Sequence, residues 1–283
     1  MGKGNRDELV ALSALAVRAA VAGGQVILDG LTRPMALGWK SSTVDPVTDV
    51  DRKGEAQIMR LLNAERPDDG ILAEESPERP SASGLRWVVD ALDGSVNHLY
   101  RIPHCAVSIA VEEHRDHEWT AIVGVVHDPI RAETFSAVRG GGALLGTTAL
   151  RINEPVPLSQ ALVATEFSYT VESRRRQVEY VRRVLSAARD IRCTGSSALD
   201  LCWTAAGPIR RVLRGRTATV GLVGRKTGRA GGRRGHRGHG LWRPGAGPTL
   251  HRELTALLEQ VHASPATHEV SHGILRRSAT EAG

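Results

Sequence analysis

Apolar residues recur at helical spacing from the start of the chain. Leu9, Leu12, Leu15, Ala16, Ala19 and Ala20 fall three or four apart, predicting a helix over residues 7–31 that ends near Gly30. A polar loop follows at residues 40–48. Thr48 or Asp49 is then placed to cap a second helix running to about Glu65, with Ile58, Leu61 and Leu62 on one face. Beyond it the period shortens. Strands are predicted at Gly70–Ala73, Arg86–Leu92, Ala106–Val111, Thr120–Val126, Thr134–Val138 and Leu162–Phe167, with helices at Val171–Ala188 and Ser197–Ala206. Gly140-Gly141-Gly142 reads as a turn. Several adjacent strands between flanking helices predict a layered α/β (α+β) architecture.

The texture changes at residue 208. Through residue 247 there are eleven Gly, ten Arg and one Lys, with no acid and no period of 2.0 or 3.6. Such glycine-rich, charged sequence cannot bury much surface and is expected to lack regular structure. Order is predicted to return near Leu250, with an amphipathic helix over residues 251–260 and a loose tail from about Ser264. This one stretch also accounts for the charge of the chain. It carries +11, against +6 for all 283 residues, leaving −5 elsewhere. A general attraction to nucleic acid is therefore not expected, although an Arg/Gly arm can bind RNA. Its near-motifs do not hold up as sites. In Gly224-Arg225-Lys226-Thr227 an Arg interrupts the pair a phosphate loop needs, and His236-Arg237-Gly238-His239 has no carboxylate or Cys beside it.

Composition limits the remaining classes. No run reaches the ~18 apolar residues that span a bilayer, and the charged, glycine-bearing start is not expected to act as a secretory leader. Cys105, Cys193 and Cys202 are an odd number without metal-ligand spacing. They are read as buried thiols of a cytoplasmic protein.

Candidate chemistry is concentrated in Asp90-Ala91-Leu92-Asp93-Gly94-Ser95, directly after the apolar strand Trp87-Val88-Val89. Carboxylates at a strand end can converge on a hard cation, which takes oxygen ligands. Gly94 permits close backbone approach, and Ser95 can open a helix whose amides face an anion. Glu74-Glu75 ends another short strand, while Asp45, Thr48 and Asp51 lie on a loop and helix start. As a turn and helix caps these residues need no ion, and Asp-x-x-Asp-Gly alone favours that reading. The complete set in this order favours a site.

Three runs together resemble the signature of the magnesium-dependent, lithium-sensitive inositol monophosphatase family. They are Asp45-Pro46-Val47-Thr48-Asp49-Val50-Asp51, Ala73-Glu74-Glu75-Ser76 and Trp87 through Asn97. Gly195-Ser196-Ser197-Ala198 is similar to the family's Gly-Ser-Ala-Ala helix start. Ala73 stands where the family has Gly, Ala91 where it has Pro, and Ser95 where it has Thr. The resemblance covers about residues 7–207. It implies a layered α-β-α-β-α sandwich with a metal-binding lobe over residues 1–150 and a second lobe over 151–283.

The same resemblance implies Mg²⁺ as cofactor and hydrolysis of a small phosphomonoester, such as myo-inositol monophosphate, by a homodimer. Glu74, Asp90 and the Leu92 carbonyl would hold one ion, and Asp90 would bridge to a second shared with Asp93. Asp51 and Ser95, with Glu74, would prepare the attacking water. Gly94, Ser95 and Ser197 would meet the substrate, and Lys40 would lie on a closing loop. The family's remaining ligand, the Asp of Trp-Asp-x-Ala-Ala-Gly, has no counterpart, and its place falls in the Arg/Gly stretch. Val220-Gly221-Leu222-Val223-Gly224-Arg225 can be encoded so that the frame one nucleotide later reads Trp-Asp-Trp-Ser-Ala-Gly. The same shift permits Arg-Phe-Asp-Gly-Tyr across Pro208–Val212 and Glu-Ala-Gly-Gly across Gly231–Arg234. Three family landmarks in order imply a frame shift opening near Gly207–Pro208 and closing before Leu250. The second lobe of the chain as written is accordingly expected to be disrupted.

Overall fold

The computed structural model describes residues 3–32, 37–39, 46–150, 156–207 and 211–213. Helix α1 (Lys3–Leu31) follows the predicted period, burying Leu9, Leu12, Leu15, Ala16, Ala19, Ala20 and Ile27 along one face. An antiparallel pair, β1 (Leu37–Trp39) and β2 (Pro46–Thr48), leads into α2 (Asp49–Glu65). The first turn of α2 carries Asp49 and Asp51, whose charge suits a helix N-terminus.

A seven-stranded sheet follows in the order of the chain. Its strands are β3 (Gly70–Ala73), β4 (Leu85–Asp93), β5 (Ala106–Arg115), β6 (Glu118–Asp128), β7 (Glu133–Val138), β8 (Gly142–Leu145) and β9 (Thr148–Ala149). Only β3 and β4 run parallel, and every later neighbour is antiparallel. The one-turn helix α3 (Ser95–Leu99) lies between β4 and β5. The glycine run at 140–142 turns β7 into β8, as the sequence predicts.

Both faces of this sheet are covered. Residues 87, 89 and 91 of β4 and 107, 109 and 111 of β5 pack under α1 and α2, with Ile58 and Leu62 at the centre. Val88, Ala106, Ala110, Val126 and Phe135 point the other way, onto α5 (Ser197–Ala206), where Ala198, Leu199, Leu201, Cys202 and Ala205 meet them. The double burial explains why these strands read as continuous apolar runs rather than as alternation. Each fully buried Leu or Ile contributes about 1.5–3 kcal/mol, so α1 and α2 anchor this half of the molecule. Beyond α5 lies a second, parallel sheet ordered β11 (Asp190–Arg192), β10 (Leu162–Thr165), β12 (Arg211–Leu213). Ala164 of β10 joins the α5 cluster. Between β10 and β11 runs α4 (Val171–Leu185), in which Gln177 is the buried residue. Gln177 accepts from Ser168 N–H and donates to the Glu166 carbonyl. The architecture is mixed α/β, as expected.

Three expectations are corrected. Arg6–Leu31 is long and apolar enough to cross a membrane by length and composition, contrary to the sequence reading. Its apolar face is the one packed on the sheet, which accounts for its composition. Arg211–Leu213, inside the stretch expected to lack regular structure, is a strand paired in register with Val163–Thr165. The rest of that stretch and the helix predicted at 251–260 lie outside the described residues. Cys105 and Cys202 are buried, whereas Cys193 is exposed. Burial pushes the Cys105 thiol up to about 12, so it is inert packing.

Candidate active site

The acids converge because of an irregularity in β4. Residues three apart on a regular strand point to opposite faces. Here Asp90 pairs with Ser108 and Asp93 with Ala106, so three steps on β4 match two on β5. The extra residue is a bulge, and bulges re-aim side chains. It turns Asp93 to the face that already holds Asp90, the face beneath α5. Parallel pairing of β3 and β4 sets Ala73 beside Val89, which brings Glu74, the next residue, alongside Asp90 at the same sheet end. Asp90 is buried, and its Oδ1 accepts from the Leu92 N–H at 3.1 Å, which folds the turn around its carboxylate.

A second layer comes from α2. Asp51 is buried in its first turn and accepts from Ser95 Oγ at 2.9 Å; the same hydroxyl lies 3.0 Å from the Leu92 carbonyl. A hydroxyl has one proton, so Ser95 serves these two acceptors alternately. Gly94 opens α3 in a tight place, where a Cβ would come within 3.0 Å of the His104 carbonyl oxygen. Ser197 begins α5 and is buried, but the hydroxyl that reaches the acid row belongs to Ser196, one residue earlier. Lys40 and Asp45 lie outside the described residues.

Two contributors were missed in the sequence. Glu55 of α2 is buried, and its Oε2 accepts from the Glu75 N–H at 2.8 Å, steadying the turn that carries Glu74. Its position one turn beyond Asp51 was the available signal. Ser108 is fully buried beside Asp90, and its hydroxyl has no hydrogen bond among the described residues. No motif marks it.

Every donor named here is an oxygen, which suits a hard divalent ion such as Mg²⁺. The set fits such an ion chemically. Among the described residues, however, no three His, Cys, Asp or Glu side chains come close enough to enclose one metal. Like-charged carboxylates repel one another, and two of them accept from protein hydroxyls, Asp51 from Ser95 and Asp93 from Ser196.

In the first turn of α5, Asp200 is buried and accepts from Thr194 Oγ1 at 2.7 Å. Burial pushes its carboxyl up to about 7, and the nearby Asp93 and Glu166 add to the rise while Thr194 opposes it. The folded protein therefore retains a proton that the unfolded chain releases near pH 4. Stability accordingly falls as pH rises from about 4 to about 7, and the full penalty persists above that. Asp200→Asn is expected to stabilise the metal-free protein by about 2–4 kcal/mol at pH 8. The gain should vanish below pH 4, and melting temperature measured across pH checks it.

The sequence profile of the inositol monophosphatase family matches residues 8–219, and the chain belongs to that family. It is 37% identical over 198 residues to the Nus factor SuhB of Haemophilus influenzae, covering 69% of this chain and 73% of the relative. Among solved structures it is similar to the extragenic suppressor protein suhB of Bartonella henselae, with TM-score 0.67 and 31% identity over 74% of this chain and 82% of that one. It is also similar to an inositol monophosphatase from Anabaena, with TM-score 0.61 and 26% identity over 72% and 75% of the two chains.

Proposed function

We propose that this site hydrolyses a small phosphomonoester, of which myo-inositol monophosphate is the leading candidate, in the cytoplasm and as a homodimer. The observation that carries the reading is the β4 bulge, which sets Asp90 and Asp93 on one face beside Glu74 and the Asp51–Ser95 pair. Glu74, Asp90 and the Leu92 carbonyl would hold one Mg²⁺, with Asp90 and Asp93 sharing a second. Bound there, magnesium would supply Lewis-acid activation of water and stabilisation of the leaving oxygen. The chain's own residues do the rest. Asp51 draws the Ser95 hydroxyl into line, so that Ser95 orients a water beside Glu74. The Gly94 and Ser95 amides face the phosphate, and Ser197 lines the substrate side. Because α3 is a single turn, the anion would be held by these local N–H groups rather than by a helix dipole.

A second reading is a family member that has lost turnover and persists as a binding protein. It is favoured by one observation: the family match ends at residue 219, directly before Val220, where the shifted frame would supply the missing Trp-Asp. We expect a protein carrying the shifted frame over residues 208–247 to release phosphate from myo-inositol monophosphate in a Mg²⁺-dependent way. The chain as written should be at least ~100-fold slower, since losing an outer metal contact alone costs ~10–100-fold. Turnover of both proteins, with calorimetric Mg²⁺ titration, tests this. A restored protein that binds no Mg²⁺ refutes the site assignment.

A further inference from the structure

The second half of the chain reaches into the acid row at one point. Ser196 Oγ lies 2.6 Å from Asp93 Oδ2, and the Ala198 N–H donates to that same oxygen at 2.8 Å. Two donors on one carboxylate oxygen fix the plane of the group. Oδ1, which carries no hydrogen bond among the described residues, is then the oxygen left for the site. Ser196 is almost wholly buried and is the N-cap of α5, where its Oγ accepts from the Leu199 N–H at 3.4 Å. Accepting from the helix commits the hydroxyl proton elsewhere, and the Asp93 carboxylate is the acceptor it meets. A charge-assisted bond of this kind is about twice as strong as a neutral one.

The turn that delivers Ser196 is itself pinned to the loop bearing Asp93. Asn97 Nδ2 donates to the Thr194 carbonyl and to the His104 carbonyl, both at 2.8 Å. Gly195 packs flat against the Asn97 amide, with room for no side chain.

We propose that Ser196 is a positioning residue for Asp93. It fixes which carboxylate oxygen faces the acid row, so the entry to α5 sets the geometry of the first half's ligands. The inference rests on the proposed metal-binding reading of that row.

The test uses the full chain, with Mn²⁺ as the probe, titrated by electron paramagnetic resonance. Ser196→Ala is expected to weaken Mn²⁺ binding by ~10-fold or more, as loss of an outer support does. Ser196→Thr, which keeps the hydroxyl, should bind as the unmodified chain does. Ser196→Gly covers the case in which the Ala variant fails to fold, because Gly retains most of the N-cap preference while lacking the donor. It should lose affinity as Ala does. If Ala and Gly variants melt lower but keep the original Mn²⁺ affinity, Ser196 is a helix cap alone and the proposal is overturned. If the unmodified chain binds no Mn²⁺, the chain as written holds no metal, the proposed function is left to the frame-restored protein, and Ser196 is judged on the metal-free protein. There the melting shifts of Ser196→Ala and Asp93→Ala must be non-additive, and additive shifts overturn the positioning role.

Discussion

Trp87→Ala is expected to destabilise the protein by about 4–6 kcal/mol, a large part of the ~5–15 kcal/mol that holds a typical domain folded. Trp87 is fully buried in the cluster beneath α1 and α2, and its removal leaves a cavity in the most tightly covered part of the sheet. It also takes away a donor. Trp87 Nε1 donates to Asp69 Oδ2 at 2.9 Å, alongside Arg66 Nε at 2.8 Å and Ser83 Oγ at 2.6 Å. Burial alone would push the Asp69 carboxyl up, yet these donors together hold it below its ordinary value. Its contribution is therefore present above the unfolded pKa and is lost as pH falls through the lowered one. Trp87→Phe separates the two effects. It fills most of the volume, should cost about 2 kcal/mol, and should move the acid unfolding midpoint upward. Urea denaturation at neutral pH and an acid titration measure both. An Ala variant within 1 kcal/mol of the unmodified protein, roughly, would contradict this account of the core.

The second large effect is expected at Gly195. Its φ of +86° lies in the left-handed region, and a Cβ there would sit 2.7 Å from Asn97 Nδ2. Asn97 cannot swing aside without breaking its bonds to the Thr194 and His104 carbonyls. Gly195→Ala should therefore cost about 2–4 kcal/mol, combining backbone strain with a forced shift of the clamp. Gly84 provides the control, because its φ is +82° and nothing lies within 4 Å of the position of a Cβ. Gly84→Ala carries the strain alone and should cost about 1 kcal/mol. Equal losses in the two variants, read from denaturation midpoints, would show that the Asn97 contact has no energetic weight.

Much of this was legible in the sequence. Leu9 through Ala20 announce α1 by spacing alone, and the unbroken apolar runs of β4, β5 and β6 mark strands covered on both faces. The acids at strand ends could be read as a group, since strand ends and first helical turns face one rim of a layered fold. What could not be read was the step that aligns them. Residues 90 and 93 would diverge on a regular strand, and the bulge that corrects this has no local signature, only the pairing with β5. Ser196 was hidden for a similar reason. Its spacing identifies an N-cap, but its bond to Asp93 spans 103 residues. Short strands such as β9 and β12 carry too few residues for any period. Cys193 was misjudged because a thiol's burial depends on the loop geometry around it, not on composition.

The order of the strands has a consequence for how the molecule comes into being. From β3 to β9 each strand of the large sheet lies beside its neighbour in the chain, so nearly every pairing closes over a short span. Contacts of this local kind form quickly, because little loop entropy opposes them. The β11-β10-β12 sheet is assembled from segments up to about fifty residues apart and must wait for them. During synthesis, Asp51, Glu74, Asp90 and Asp93 can thus be gathered on a finished sheet before α5 leaves the ribosome, and α5 docks afterwards onto a surface already made.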